Sequence, residues 1–388
     1  MKNNHFDKKI AIVIYYFEGH VGGHFYTVKT LTESFVSSGI DCELFVIGKS
    51  IPNIYESNDF NVTLLSELDF FFKRKKLDNI FEQFDVLHSF DNLSNIFVTS
   101  LRLKNKLLIN TLCGGPDPKR PYHLISQNQI CLSQENIEYF ERSGFKFDRL
   151  LLIPNRVSLK NSPLLHSNER ELFFHDKSVK IIAINRIGYS FRSKIRQAIN
   201  FSKLLHDRGV EVELAIVGYI ENKDVYNELL ETSNPSYVNF YTTQDYTNNA
   251  TRHIKQSDVV IGTGRGFMEG ALLGKVMLCP SQQLDYPVIV TEENFASLFS
   301  KNFSGRQEVD EKYEVDKLRS FKLEYYKSNL SLARTYEDNF LIDKAIDKYK
   351  VIYSESAEKN RFSVRFFIGY IYVLFKVVKN KVSRMAKR

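Results

Sequence analysis

The stretch richest in groups that could do chemistry runs from Ser257 to Leu278, SDVVIGTGRGFMEGALLGKVML. An apolar strand pattern leads into Gly262, Gly264 and Gly266, and then into a helical pattern with Glu269 in its first turn. Glycines so placed let a backbone approach a ligand closely, and a helix N-terminus offers free N–H groups and a positive dipole end to a phosphate. A carboxylate one turn in can accept two hydroxyl hydrogen bonds, as from a ribose diol. The pattern also fits an ordinary strand-to-helix turn in which Glu269 complements the helix dipole. Gly22 and Gly23 follow another apolar strand, but the spacing Gly19, Gly22, Gly23 does not make GxGxxG, which weighs against a dinucleotide dehydrogenase. His88 ends a further strand candidate with Asp91 just beyond it; His24 and His123 are lesser candidates. The chain has no Asp-x-Asp, GxSxG, Walker or HExxH pattern. Without Asp-x-Asp the usual carboxylate clamp for a divalent ion is missing, and no metal is expected.

Those residues need elements to hold them. KIAIVIYY (9–16) is a continuous β-branched run, as expected for a parallel strand covered on both faces. Helical spacing of Val28, Leu31 and Phe35 follows, stopped by Gly39 before the strand-like CELFVIG, which completes a βαβ unit. Strands are predicted at 86–90, 107–111, 129–133 and 150–153, and the first half reads as one doubly wound domain. Residues 154–178 turn polar and irregular, in the manner of an interdomain connection. The pattern then restarts, with strands at 180–185, 211–217, 258–261 and 276–279 and helices at 193–207 and 267–273. The fold class is therefore α/β, two Rossmann-like doubly wound domains facing a cleft, with the site at the carboxyl ends of the strands. The expected divisions are 1–158, 159–320, helices at 321–358 crossing back, and a basic amphipathic tail at 359–388.

The chain of 388 residues carries a formal charge of +7, but nine of its 53 basic residues and no acidic one lie in 359–388. The remaining body, 44 basic to 46 acidic, is slightly acidic, which argues against a nucleic-acid-binding surface. In the tail the apolar run Phe366 to Phe375 is ten residues, half of what a membrane span needs, with basic residues on both sides. That suits a helix in the interface of an anionic leaflet, or one packed back on the first domain. FFFKRKK at 70–76 is a weaker second contact candidate. Cys42, Cys113, Cys131 and Cys279 form no metal or disulfide spacing and suit a reducing cytosol.

Five segments in chain order resemble one family. The strand, glycines, helix-borne Glu and closing Gly of 257–275 resemble the donor-site motif of retaining GT-B glycosyltransferases of family 4. GHVGGHFYTVKTLTESFVSSGIDCELFVIG is similar to that family's first loop and helix, FDVLHSFD to a strand end, and ICLSQENIEYFERSGF with LLIPNRVSL to its approach to the linker. The similarity covers roughly residues 9–300. It implies that Gly22, Gly23, Gly266 and Phe267 lie along the donor diphosphate and that Arg186 and Lys194 neutralise it, Arg192 competing with Lys194. It also implies that Glu269 holds the ribose and that His88 and Asp91 face the sugar or acceptor as catalytic candidates. Two positions depart from the pattern: Ile261 stands where the family has a first acidic residue, and Arg156 where it has Gly.

The implied activity is sugar transfer with retention from a nucleotide-sugar, UDP-linked, to a glycan or lipid-linked acceptor, without metal. The leaving phosphate would accept the acceptor's proton. The implied setting is bacterial surface-polysaccharide synthesis, in the cytoplasm at the membrane's inner face. A nucleotide-sugar 2-epimerase of the same fold and a non-catalytic glycosyltransferase partner are the rivals.

Overall fold

The computed structural model describes residues 6–17, 21–56, 59–101, 103–113, 128–144, 146–159, 171–176, 178–327, 329–355, 371 and 375. The chain divides into two compact units, one formed by Met1–Pro154 with Ile342–Arg388 and the other by Asn155–Leu341. The helical stretch expected at 321–358 is thus shared: it belongs to the second unit through Leu341 and to the first from Ile342. Arg156, 3% exposed, donates from Nη1 to the carbonyls of Asp338 and Leu341, which fastens the start of the second unit to its end.

In the first unit, strands β1 (Ile10–Tyr15), β2 (Cys42–Ile47), β3 (Val62–Leu65), β4 (Val86–Phe90), β5 (Leu107–Leu112), β6 (Asn128–Cys131) and β7 (Arg149–Leu152) form a parallel sheet in the order 3-2-1-4-5-6-7. The helices are α1 (Gly23–Ser37), α2 (Asp69–Phe72), α3 (Arg74–Glu82), α4 (Asp91–Ser100), α5 (Gln134–Arg142) and the returning α14 (Asp343–Ser354), named ahead of its place in the chain. Alternation along β1 explains the two layers. Ile10, Ile12 and Ile14 join the core formed with Phe35 of α1 and Tyr349 and Tyr353 of α14, while Ala11 and Val13 join Phe81 and Phe97 on the other face. A strand apolar at every position is what two covered faces require.

The second unit repeats the scheme with β8 (Val179–Ile184), β9 (Val212–Val217), β10 (Val238–Tyr241), β11 (Val259–Ile261), β12 (Val276–Cys279) and β13 (Val288–Ile289), in the order 10-9-8-11-12-13. Only the β12–β13 pair is antiparallel. Its helices are α6 (Arg192–Asp207), α7 (Lys223–Glu231), α8 (Gln244–Thr247), α9 (Gly264–Leu272), α10 (Glu292–Ser300), α11 (Glu311–Arg319), α12 (Leu323–Lys327) and α13 (Leu330–Phe340). Val259 and Ile261 face one core and Val260 the other, where it meets Phe267 and Met268 of α9.

Both sheets reverse winding direction beside their first strand, between β1 and β4 and between β8 and β11. At such a point the loops leaving the two carboxyl ends diverge and open a crevice. The two loop pairs are those after Tyr15 and Phe90 and those after Ile184 and Ile261.

Candidate active site

In the second unit, the loop leaving β8 carries Arg186 and leads into α6, whose first turn carries Lys194. Phe191, immediately before α6, holds both cations: the Arg186 guanidinium carbon is 4.8 Å and Lys194 Nζ 5.3 Å from its ring centroid. Lys194 Nζ reaches Thr263 Oγ1 at 3.4 Å, and Thr263 is the N-cap of α9. Lys194, the glycine turn and a helix N-terminus are therefore one cluster. Burial pushes the Lys194 ammonium below its ordinary range, with the nearby Arg306 charge adding to the effect and Cys279 opposing it. A cation already paying for desolvation gains most from an incoming anion. Arg186 is half exposed and paired with Glu221 at 3.1 Å, and Glu221 lies over Gly188, where a Cβ would come within 2.5 Å of Oε2. Arg192, the competitor to Lys194, is instead committed to Glu228 of α7 at 2.6 Å.

The turn itself divides the glycines by need. Gly264 has φ +64, a left-handed conformation that favours glycine. Gly262 and Gly266 have no such demand, and a Cβ at either would meet nothing within 4 Å. Space over both is what a ligand lying on the helix N-terminus needs. The Phe267 side chain is fully buried and stacked on Phe303 at 4.2 Å, so it packs the core and leaves only its backbone to a diphosphate. Glu269 is the sixth residue of α9, in its second turn and not the expected first; it is 9% exposed and ion-paired with Arg265 at 2.6 Å, an i,i+4 pair that the spacing in the sequence permits. Ile261, at the family's acidic position, is 1% exposed in the core.

In the first unit the structure separates the two catalytic candidates. His88 is fully buried, with Nδ1 2.6 Å from Tyr353 Oη and Nε2 2.7 Å from Thr111 Oγ1. Burial pushes it down to about 3. With both ring nitrogens occupied, the imidazole can neither take nor deliver a proton to a substrate, and His88 is a satisfied core residue joining β4, β5 and α14. Asp91 opens α4 with φ +70, a conformation that Asp tolerates better than most residues. Its carboxyl is pushed up to about 6 by burial, with an N–H hydrogen bond from Cys113 opposing the shift. Its neighbour is His24 of α1, with Nε2 4.0 Å from Asp91 Oδ2, and burial pushes that imidazole down to about 4. Near neutral pH the pair is an ionised carboxylate beside an uncharged imidazole. His24 lies next to Gly22 and Gly23, which sit at the start of α1 with ordinary backbone angles at Gly22 and open space over Gly23. The pairing unites the first turns of two helices, at positions 67 residues apart in sequence, so no local pattern encodes it.

Among the described residues, no three His, Cys, Asp or Glu side chains gather where they could hold a metal, and no helix is long and apolar enough to cross a membrane. His123 and the tail, apart from exposed Ile371 and Phe375, lie outside the described residues.

No family model and no curated protein matches the chain. Solved structures do. The chain is similar to Anabaena HepE in complex with UDP and glucose, at 13% identity and a TM-score of 0.58, over 89% of this chain and 100% of that one. It is similar to an alpha-glucosyltransferase in complex with UDP-glucose and DNA containing an abasic site, at 9% identity and a TM-score of 0.57, over 90% and 100%. It is also similar to a putative UDP-N-acetylglucosamine 2-epimerase from Listeria monocytogenes, at 12% identity and a TM-score of 0.54, over 92% and 100%. The fold is GT-B, two Rossmann-like units in one chain.

Proposed function

We propose that the protein transfers a sugar from a UDP-linked donor to a glycan or lipid-linked acceptor, as a hexosyltransferase. The observation that carries this reading is the convergence of Arg186, Lys194 and the open glycine turn of α9 at the winding reversal of the second sheet. Breaking the bond to the sugar leaves charge on the diphosphate. Fixed cations and helix N–H groups stabilise that charge more in the transition state than in the ground state. Arg186 supplies a planar fork and Lys194 a point charge, the Gly266 backbone lets the phosphates approach, and Glu269 takes the ribose hydroxyls. None of these roles needs a metal ion.

The reading assigns the acceptor to the first unit, beside Asp91 and His24. Retention, as in family 4, would leave the acceptor's proton to the departing phosphate. The raised Asp91 carboxyl favours a second reading, in which Asp91 removes that proton and direct displacement inverts the anomeric centre. The proposed setting is bacterial surface-polysaccharide assembly at the inner face of the cell membrane. Phe72, 80% exposed, followed by Lys73, Arg74, Lys75 and Lys76, supports contact with an anionic bilayer beside that proposed for the tail.

The test is incubation with UDP-glucose and UDP-N-acetylglucosamine, with and without glycan and lipid-linked acceptors, followed by NMR of the product. An acceptor-dependent glycoside is the expected result, and its anomeric configuration decides between the two proton routes. A free 2-epimer formed without acceptor, or tight UDP binding with no turnover, would overturn the proposal.

A further inference from the structure

The hydrogen-bond ladder between β8 and β9 continues past the ends of both strands. Asn185 N–H donates to the Val217 carbonyl at 3.1 Å and Ile187 N–H to the Tyr219 carbonyl at 3.0 Å, and Ile187 bridges Ile220 in parallel register. Arg186 and Tyr219 therefore stand opposite one another, about 5 Å apart at the spacing of neighbouring strands. Gly218 permits that approach: its N–H donates to the Tyr241 carbonyl at 3.1 Å, and a Cβ there would come within 1.8 Å of the Asn185 carbonyl oxygen.

Alternation decides which way the pair faces. Ile187 and Ile220 join Ala183, Ile216 and the helix α6 residue Ile195 in one core. Arg186 and Tyr219, one residue earlier in each chain segment, fall to the opposite face with Ile182, Ala215 and Val217, where Phe267 and Met268 of α9 pack. Tyr219 thus shares a face with the helix whose N-terminus the candidate donor site uses. It stands on the β9 side of Arg186, and Thr263, which Lys194 reaches, stands on the β11 side.

Its lack of partners sets Tyr219 apart from its neighbours. It is 50% exposed just beyond a strand that is buried throughout, and among the described residues no aromatic ring meets it and no group hydrogen-bonds to its hydroxyl. On the next strand Tyr241 is already engaged, with Oη donating to the Phe173 carbonyl at 3.3 Å and its ring edge-on to Tyr246 at 4.8 Å. An unengaged ring one strand away from the cation that meets the diphosphate offers a flat apolar face within reach of the nucleoside attached to that diphosphate.

We propose that Tyr219 is the stacking platform for the donor's nucleobase, the residue by which the site prefers a nucleoside diphosphate to bare diphosphate. The proposal rests on the donor-site reading above. Every base presents a π face, so this contact selects for the presence of a base and not for its identity.

The chain contains no tryptophan, so Tyr219→Trp places a single indole reporter at the platform. Its fluorescence should be quenched saturably by UDP and left unchanged by pyrophosphate. Calorimetric titration of the full-length variants with UDP and with millimolar pyrophosphate, both in EDTA, supplies the second readout. Tyr219→Ala should weaken UDP about tenfold and leave pyrophosphate affinity unaltered, which also reports an intact fold. Tyr219→Phe keeps the ring and should restore UDP binding. Arg186→Ala should weaken both ligands. Tyr189, 67% exposed in the loop after Arg186 but outside the ladder, is the internal comparison, and Tyr189→Ala should bind both ligands as the unaltered protein does. Unchanged UDP affinity in Tyr219→Ala, equal losses of UDP and pyrophosphate, a loss that falls on Tyr189→Ala instead, or an indole that UDP does not quench overturns the proposal. The donor-site reading survives each of these results if Arg186→Ala weakens UDP, whereas binding of neither ligand to the unaltered protein overturns both.

Discussion

Asp91 and His24, whose side chains are 37% and 29% exposed, depart from their ordinary ionisation in opposite directions for one reason, partial removal from water, which penalises whichever form is charged. For Asp91 the folded-state pKa of about 6 stands above its ordinary 3.8, so ionisation destabilises the fold as pH rises from about 4 through 6. Asn tolerates the left-handed backbone of this position and cannot ionise. We therefore expect Asp91→Asn to gain stability relative to the unaltered protein between pH 4 and 6, to keep that gain at pH 8, and to lose transfer activity if Asp91 is the base. Melting curves at pH 4 and 8 check this, and an identical difference at both pH values would contradict it. His24, lowered to about 4, contributes in the other window: stability falls as pH drops from its ordinary 6.5 through 4. His88 belongs to a different class. His88→Ala would strand two buried hydroxyls and open a cavity, at a cost of about 2 to 4 kcal/mol, while folded protein should bind UDP unchanged. Denaturant unfolding and titration of the same sample measure both.

At the scale of elements, the α9 turn separates a structural glycine from one kept for a ligand. Gly264→Ala must place a side chain in a left-handed conformation and should cost about 1 to 2 kcal/mol. Gly266→Ala meets open space, so unfolding free energy should stay level or rise slightly while UDP affinity falls. If Gly266→Ala destabilised as much as Gly264→Ala, the glycine would be structural and the ligand argument would lose its footing. This turn was legible in the sequence because its information is local: an apolar strand, three glycines and a helical period within 22 residues. So were β4 and β12, whose bounds match expectation residue for residue. The edge strands β3 and β10 were not read, since half-exposed edges such as VNFY mix polar residues into a short run. His88 occupies a motif position, but period and spacing do not say which side of a strand meets the core.

At the scale of the molecule, the two-unit architecture was readable because the βα pattern stops at the polar segment and restarts. What could not be read were contacts across long separations, such as His24 with Asp91 or Tyr353 with His88, since no local rule encodes them. Membrane contact is a whole-chain property, proposed from the basic tail and from Phe72. A chain ending at Glu358 and carrying Phe72→Ser should lose sedimentation with anionic liposomes at low salt while retaining UDP binding. Undiminished sedimentation would remove both contacts from the account. The central claim is that the second unit seats a nucleoside diphosphate on Arg186, Lys194 and the N-terminus of α9, and calorimetric titration of UDP in EDTA tests it most directly. The account predicts saturable binding to the unaltered protein and a loss of about ten- to a hundred-fold in Arg186→Ala and in Lys194→Ala, the effect of removing one charge-assisted contact. Equal affinity in all three proteins, or no UDP binding without a divalent ion, would contradict it.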